Sequence, residues 1–438
     1  MTVTDTIVAV ATPPGVGGIG VVRLSGAEAL EIARRLTGRD SLRPRHAHYG
    51  RLINPASGEA IDDGLILYFP APHSFTGEDV VELQGHGSPV LLEALVAASV
   101  DLGARRARPG EFTEQAFLNG RLDLAQAEAV ADLIHAQTAE AARLARSSLD
   151  GALAAELEPV SRAIRDMRVV IEAEIDFGET DLESEAAPDI ARRAEDLHTT
   201  ILALLERLRP ARYFAQGLRL ALVGAPNVGK SSLMNRLAES EVAIVTDRPG
   251  TTRDVLRSPI AIHGIPVELI DTAGLHASDD PVERIGMERA REAATGADLI
   301  VELRDLTRPE AVPDLEAAPE IPRLTVWNKQ DCVAKDSLPG EGIAISARTG
   351  AGIEALKQAI VERLGAGEGG QQRFSVRARH LDGLRSADHH LAAIDAQAPP
   401  DVIAEELRLA EAALDALLGR QDHEALLGEI FAGFCIGK

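Results

Sequence analysis

Short apolar runs alternate with polar turns in the first 119 residues. Strand-like patterns occupy residues 5–12, 19–24, 49–53, 64–69 and 79–83. Residues 27–36 and 88–98 instead carry apolar positions at helical spacing. The pattern predicts an α+β module that ends near residue 119.

A helical pattern begins at residue 122 and continues to about residue 212, with apolar residues at i, i+3 and i+4. Asp176-Phe177-Gly178-Glu179 breaks one helix, and Pro188 lies near the start of the next. Residues 378–394 and 402–418 are helical again. The simplest arrangement is one helical domain into which residues 217–366 are inserted. The glycines of residues 365–370 then form the linker by which the chain leaves the inserted segment.

The inserted segment contains apolar runs that end at small or polar residues. These runs occupy residues 218–223, 267–270, 324–327 and 343–345. Each has the length and composition of a buried strand. We therefore expect the polar residues that follow these strands to form one site.

The loop after the first of these runs has the sequence Gly224-Ala225-Pro226-Asn227-Val228-Gly229-Lys230-Ser231, which is G-x-x-x-x-G-K-S. A strand before it and a helix after it are the context of a phosphate-binding loop. Lys230 is placed to reach β- and γ-phosphates, and Ser231 to hold Mg²⁺. An ordinary Gly-rich turn is the alternative.

Three further polar stretches follow the other runs. They are Asp271-Thr272-Ala273-Gly274, Asn328-Lys329-Gln330-Asp331 and Ser346-Ala347. The first suits Mg²⁺ and the γ-phosphate. Asp331 can accept two N–H bonds from a guanine edge, which adenine cannot supply. In this order, the four stretches predict a guanine-nucleotide domain.

Residues 246–254 are rich in small oxygen-bearing side chains, and Thr252 is the expected Mg²⁺ ligand there. Leu275 follows Gly274, where Ras-like enzymes carry a water-orienting Gln. The substitute is expected within residues 279–284, although an acid there can also cap the following helix. A K⁺ between the phosphates and residues 246–251 can replace an arginine finger, with Asn227 supplying an oxygen.

Polar loops are also predicted at residues 74–79 and 82–87. They could line a pocket for a polar, ring-containing ligand. The spacing of these residues alone favours ordinary polar turns with solvent-exposed acidic side chains.

Composition narrows the class of protein. The 438 residues carry a formal charge of −23, and only 3% are aromatic. Such a chain does not coat nucleic acid unaided, but a local basic patch is compatible with it. Its two cysteines, Cys332 and Cys435, form no disulfide framework. With no apolar run of membrane-spanning length and no signal-peptide pattern, we expect a soluble cytoplasmic protein.

Taken together, these motifs resemble the MnmE (TrmE) family of bacterial tRNA modification GTPases. The segments that carry the resemblance are residues 5–15, 75–79, 108–112, 122–128, 246–254 and 434–438. The resemblance covers the whole chain. It implies a multidomain α/β protein in which a Ras-like P-loop GTPase domain is inserted into an α-helical bundle.

The implied domains are residues 1–119 for folate binding and dimerisation, 120–216 and 367–438 for the helical domain, and 217–366 for the GTPase. The implied activity is K⁺-activated GTP hydrolysis by a homodimer. With an FAD-containing MnmG-type partner, in a heterotetramer, it adds an aminomethyl or carboxymethylaminomethyl group to carbon 5 of the wobble uridine, position 34, of certain tRNAs. The one-carbon unit comes from 5-formyl- or methylene-tetrahydrofolate.

The resemblance also assigns residues. GTP contacts fall on Asn227, Val228, Gly229, Lys230, Ser231, Ser232, Thr246, Asp247, Arg248, Pro249, Gly250, Thr251, Thr252, Asp271, Thr272, Ala273, Gly274, Asn328, Lys329, Asp331, Ser346, Ala347 and Arg348. Ligands fall on Ser231 and Thr252 for Mg²⁺, and on Asn227, Thr246, Arg248 and Thr251 for K⁺. Folate contacts fall on Arg23, Glu82, Arg121 and Lys438, and catalytic roles on Glu283 and Cys435.

Three positions depart from the family pattern. Arg121 stands where Lys is usual, His276 stands where Arg is common, and Pro281 lies in a stretch normally without Pro. Two other functions compete with the implied one. The chain could be a regulatory GTPase switch of ribosome assembly or stress response, or its N-terminal module could be a structural dimeriser only.

Overall fold

The computed structural model describes residues 5–177, 186–225, 227–240, 260–271, 296–308, 321–334, 340–365, 373–420 and 424–437. The chain divides into two compact units. One comprises Met1–Ala131 and Asp415–Lys438, and the other comprises Asp132–Leu414. The finer division into domains that the sequence predicts stays a prediction.

The strands form two six-stranded sheets. The first sheet contains β1 (Ile7–Val10), β2 (Gly17–Ser25), β3 (His48–Ile53), β4 (Ala60–Phe69), β5 (Val80–Gly87) and β6 (Arg105–Arg106). The second contains β7 (Leu218–Val223), β8 (Ile260–Ile262), β9 (Ile265–Asp271), β10 (Leu299–Asp305), β11 (Arg323–Asn328) and β12 (Ile343–Ala344).

The described helices are α1 (Ala29–Thr37), α2 (Pro89–Asp101), α3 (Glu111–Leu118), α4 (Leu124–His135), α5 (Ala139–Leu149), α6 (Ala152–Phe177), α7 (Ala187–Leu208), α8 (Arg212–Gln216), α9 (Lys230–Ser240), α10 (Ile353–Arg363), α11 (Ala378–Ala392), α12 (Pro400–Leu418) and α13 (Glu424–Ala432). The described part of α6 reaches Phe177 and α7 starts at Ala187 beside Pro188, while Gly178 and Glu179 of the predicted break lie outside the described residues. The sequence analysis did not predict α3, α10, α13, β6, β8 or β10.

In the first unit the strand order is β3-β4-β5-β2-β1-β6. All neighbours are antiparallel except β1 and β6. Apolar side chains of the sheet, such as Leu24 and Leu83, share one buried cluster with Ile32 of α1 and Leu95 of α2. The two helices therefore cover one face of the sheet.

The loop predicted at residues 82–87 is wrong, because β5 continues to Gly87. Its glycines allow close strand packing. A Cβ on Gly87 would lie 2.5 Å from the carbonyl oxygen of Gly17, and one on Gly85 would collide with the carboxylate of Asp62. Polar residues and glycine in this strand reflect tight neighbours and not a turn.

In the second unit the strand order is β12-β11-β10-β7-β9-β8. Only the β8–β9 pair is antiparallel. The carboxyl ends of the parallel strands therefore lie at one edge, and the order reverses at β7. This confirms the expected parallel sheet and places the four polar stretches at a common edge.

Helices of the second unit pack directly on this sheet. Leu144 of α5 and Phe214 of α8 belong to the same buried cluster as Leu220 and Val301. Thr138 caps α5 by accepting from the Ala141 amide at 3.1 Å, and its hydroxyl donates to the Gly264 carbonyl at 2.6 Å. The β8–β9 turn is thus fixed to the start of α5.

None of the helices within the described ranges combines the length and apolar character needed to span a membrane.

One ion pair in the first sheet joins the exposed side chain of His86 to the largely buried carboxylate of Asp62. Nδ1 of His86 lies 2.7 Å from Oδ1 of Asp62, and this hydrogen bond raises the pKa of His86 above its ordinary 6.5. The pair should stabilise the fold below pH 6.5, and the contribution should disappear as pH rises through the raised pKa. We expect Asp62→Asn to lower the pKa of His86 in an NMR titration. An unchanged titration would contradict the assignment.

Candidate functional site

The loop between β7 and α9 has the backbone of a phosphate cradle. Asn227 has φ 57° and Gly229 has φ 107°, both in the left-handed region. A Cβ on Gly229 would collide with the side-chain amide of Asn328, so glycine is required at this close approach. Amide groups that turn inward at the start of a helix form an anion-binding concavity.

Lys230 is 8% exposed, and its ammonium lies at the mouth of this loop. Nζ donates to the carbonyl of Gly224 at 2.7 Å and to that of Ala225 at 3.0 Å. Ser231 and Ser232 are exposed on the first turn of α9. A cation, helix amides and a hydroxyl therefore converge at one place, which fits a phosphate–Mg²⁺ group.

Asn328 connects the phosphate loop to the second polar loop. Its side chain is 3% exposed. Nδ2 donates to the carbonyl of Val228 at 2.7 Å, and Oδ1 accepts from the amide of Ala347 at 3.0 Å. The side chain predicted to contact nucleotide is thus occupied with holding two loops together.

Asp331 lies beside Ser346 at the end of β11. Its Oδ1 accepts from the Ser346 hydroxyl at 2.6 Å, and its Oδ2 lies 2.6 Å from the Arg348 guanidinium. The Ser346 hydrogen bond, with the nearby charge of Arg348, lowers the pKa of Asp331 below its ordinary 3.8. Asp331 is therefore an oriented carboxylate at neutral pH, as reading a guanine edge requires.

Lys329 has φ 68°, and its Nζ lies 2.5 Å from Oδ2 of Asp305 at the end of β10. Burial works against the charged form of Asp305. Hydrogen bonds from Lys329 and Thr307 outweigh that effect and lower the pKa of Asp305. The ion pair fixes the turn that carries Asp331.

The sequence analysis missed one residue that supports the site, Arg236 of α9. Its Nε donates to the carbonyl of Ala347 at 3.3 Å, and its NH2 donates to that of Arg348 at 2.7 Å. The helix that starts at the phosphate loop therefore also holds the loop that contains Ala347 and Arg348. The position of Arg236 on α9, about one and a half turns after Ser231, was the available signal.

Asp271 ends β9, where its backbone pairs with that of Leu222 on β7. Its position shows that the second of the four polar stretches begins at the same edge of the sheet as the phosphate loop. The remaining predicted residues lie outside the described residues: Thr246, Asp247, Arg248, Pro249, Gly250, Thr251, Thr252, Thr272, Ala273, Gly274, Leu275, His276, Pro281, Glu283 and Lys438.

In the first unit, Arg23 of β2 and Glu82 of β5 face each other across the sheet. NH2 and Nε of Arg23 donate to Oε1 of Glu82 at 2.8 and 3.1 Å. The guanidinium lies 5.9 Å from the ring of Phe75 and 5.8 Å from that of Phe112. A guanidinium that is paired with a carboxylate and lies near two aromatic rings suits a flat, polar ring system.

The C-terminal residues reach the same place. NH1 of Arg23 lies 3.4 Å from the carbonyl of Gly437, and the amide of Gly110 donates to the carbonyl of Cys435 at 3.3 Å. Cys435 is exposed. The side chain of Arg121 lies against Gly77, since a Cβ built on Gly77 would be 3.2 Å from the Cγ of Arg121. Arg23 is thus bonded to both Glu82 and the tail, Arg121 lies against Gly77, and Lys438 lies outside the described residues.

Two family models match this chain. Residues 6–121 match the model of the GTP-binding protein TrmE N-terminus. Residues 124–435 match the model of the MnmE helical domain. The chain belongs to the MnmE family of tRNA modification GTPases.

Curated MnmE proteins match over nearly the full length. The chain is 45% identical to the tRNA modification GTPase MnmE of Stutzerimonas stutzeri, over 99% of both chains. It is 46% identical to that of Laribacter hongkongensis and 47% identical to that of Xanthomonas campestris pv. campestris, again over 99% of both chains. The G domain of the T. maritima FeoB iron transporter is 28% identical over 33% of this chain and 98% of its own, at a TM-score of 0.25. That score is too low to add to the argument.

The Asn328 bridge can be tested in this MnmE protein. Asn328→Ala leaves the buried Val228 carbonyl and the buried Ala347 amide without their hydrogen-bond partner. Each unpaired group costs about 1–3 kcal/mol of free energy. We expect GDP and GTP affinity to fall at least tenfold, measured with a fluorescent nucleotide. Gln358→Ala, on the exposed face of α10, is the matched control. Unchanged nucleotide affinity in Asn328→Ala would show that the bridge does not position the loops.

Proposed function

We propose that this chain is a K⁺-activated GTPase that acts on tRNA. With an FAD-containing MnmG-type partner, it adds an aminomethyl or carboxymethylaminomethyl group to carbon 5 of the wobble uridine at position 34. A tetrahydrofolate derivative supplies the one-carbon unit. The observation that carries the proposal is the hydrogen-bonded connection from Val228 through Asn328 to the Ser346–Ala347 loop, in a chain that belongs to the MnmE family.

Guanine selectivity is supported by the oriented Asp331 carboxylate. A guanine edge offers an N–H and an amino group to such a carboxylate, and adenine would leave it unpaired. Ser346 holds Asp331 through one oxygen and leaves the second facing only Arg348 and Cys332 among the described residues. Arg348 is exposed and free to move aside for a base.

The metal ligands are supported by the cradle between β7 and α9. Ser231 would hold Mg²⁺ together with Thr252. Asn227, with its exposed side chain and left-handed backbone, would hold K⁺ together with Thr246, Thr251 and the backbone of Arg248. The K⁺ supplies positive charge where phosphate charge develops during hydrolysis.

Water positioning falls to an acidic side chain in this proposal. Leu275 cannot orient water by hydrogen bonding, and Glu283 is the residue that we assign to that role. Lys230, in turn, is the positive charge that meets the β- and γ-phosphates.

Folate binding is supported by the Arg23–Glu82 pair, Arg121 and the tail that ends in Lys438. Glu82 can accept from a ring N–H and its adjacent amino group, and the two Arg side chains suit the glutamate end of a folate. Cys435, exposed beside Gly110, is assigned a role in the modification chemistry. The working assembly is a homodimer joined with its flavoprotein partner in a heterotetramer, located in the cytoplasm.

The activation mechanism predicts a strict cation preference. GTP turnover of the full chain should be at least tenfold faster in KCl than in NaCl at equal ionic strength, because Na⁺ is too small for the same ligands. Asn227→Ala should remove most of that difference while leaving GTP binding within a few-fold. Equal rates in the two salts would contradict K⁺ activation but leave the GTPase assignment standing.

The folate assignment predicts a separable defect. Arg23→Ala should weaken binding of 5-formyltetrahydrofolate at least tenfold, because Glu82 loses its paired guanidinium. Intrinsic GTP hydrolysis should be unchanged. Arg106→Ala, which removes an exposed arginine of the same sheet, is the control. Calorimetry that finds equal affinity in both variants would remove Arg23 from the site and favour a purely structural N-terminal module.

A further inference from the structure

The segment from Arg34 to Arg51 carries a net positive charge, whereas the chain as a whole is acidic. It contains six arginines and two histidines but only one acid, Asp40, in a protein with a formal charge of −23. The segment comprises the end of α1, a loop and strand β3. Such a concentration of one sign in an oppositely charged chain creates a local field that the composition does not reveal.

The structure brings part of this segment together along β3, which is the edge strand of its sheet. We call Arg39, Arg43, Arg45, Tyr49 and Arg51 the edge patch. Arg39 donates to the carbonyl of Tyr49 at 2.6 Å, and the amide of Arg43 donates to Nε2 of His48 at 2.8 Å. The loop is therefore fixed against the strand, and the patch extends along a strand about 20 Å long.

Most of these arginines lack an acidic partner. Within the described residues, no carboxylate lies in ion-pair range of Arg39, Arg43 or Arg45, and Arg51 meets Asp63 only at 3.8 Å with both side chains largely exposed. Elsewhere in the same unit, arginines are paired. Arg105 lies 2.7 Å from Glu111, and Arg108 lies 2.8 Å from Glu114. The edge patch thus presents positive charge that the protein itself does not neutralise.

Tyr49 lies on β3 and is 70% exposed. It shares the outward face of β3 with Arg51. Charged residues on an edge strand also prevent sheet-to-sheet aggregation. Side chains of either charge serve that purpose equally well, and an exposed aromatic ring does not contribute to it. Arginines for phosphates, with an aromatic ring for an unpaired base, are the combination that proteins use on RNA.

We propose that the edge patch is an RNA-binding surface of this protein. Arg39, Arg43, Arg45 and Arg51 contact phosphates, and the ring of Tyr49 stacks on an unpaired base. The inference rests on the proposed function for its choice of RNA, since a tRNA offers both a dense backbone and unpaired loop bases. In an acidic chain the patch also orients the approach of the RNA.

The test is binding of the full-length protein to a fluorescently labelled, unmodified tRNA transcript at several salt concentrations. Arg43→Gln/Arg51→Gln should weaken binding about tenfold. It should reduce the slope of log affinity against log salt by about 2, because each lost phosphate contact accounts for nearly 1. Tyr49→Ser should weaken binding at least fivefold and leave the slope unchanged, as expected for stacking.

Arg106→Gln/Arg162→Gln is the matched control, since both arginines are exposed and already face glutamates. It should change neither affinity nor slope. GTP hydrolysis by every variant should equal that of the unsubstituted chain, which confirms that the fold is intact.

Three outcomes would overturn the inference. The first is equal tRNA affinity and slope in patch and control variants. The second is loss of tRNA modification in a reconstituted reaction with unchanged tRNA affinity, which would indicate an acidic protein partner. The third is no tRNA binding by the unsubstituted chain at low salt, and that result would leave the potassium and folate tests of the proposed function unaffected.

Discussion

The nucleotide site depends on one buried amide, that of Asn328. Its two polar atoms satisfy the Val228 carbonyl in the phosphate loop and the Ala347 amide in the loop that follows β12. Since a buried polar group left unpaired costs about 1–3 kcal/mol, neither loop can move away from the other without that penalty. Arg236 adds a second connection, from α9 to the same loop. The distance between the ends of a nucleotide is therefore built into the protein before any ligand arrives.

This connection works because the sheet places its partners within reach. β7, β10 and β11 are parallel neighbours, so their carboxyl ends, and with them the phosphate loop, Asp305 and Asn328, share one edge. On the opposite edge, the turn at Gly264 is bonded to Thr138 at the start of α5. β9 begins near that turn and ends at Asp271. One strand thus connects the helical part of the unit to the nucleotide edge, and this is a physical route along which a change at one end can reach the other.

Sequence patterns predicted β7, β9, β11 and β12 of the nucleotide domain, because a buried parallel strand is a short apolar run and its loop is polar, but they missed β8, β10 and α10. They also placed Asp331, Ser346 and Lys230 correctly at one edge. They could not assign Asn328 to loop bridging, because a tetrapeptide motif contains no information about which groups its side chains meet. The same limit applies to residues 82–87. Glycine and polar side chains favour a turn in any local pattern, and only the neighbouring strands show that glycine is needed there for close packing. Helix α3 escaped prediction because its polar residues Glu111, Thr113 and Gln115 are buried and obscure the apolar face.

Arginine has two distinct uses in this acidic chain, and its partners separate them. Where a guanidinium faces a carboxylate, as in Arg23–Glu82 or Arg377–Asp132, the pair fixes a position in the fold, and its charge is already neutralised. Arg39 and Arg45, which precede β3, are instead held by a backbone carbonyl and an aromatic ring: Arg39 donates to the carbonyl of Tyr49, and the guanidinium of Arg45 lies over the ring of Phe69. A carbonyl orients a guanidinium without removing its charge. The protein therefore keeps these side chains in place while leaving their charge available, an arrangement that suits the binding of an anion.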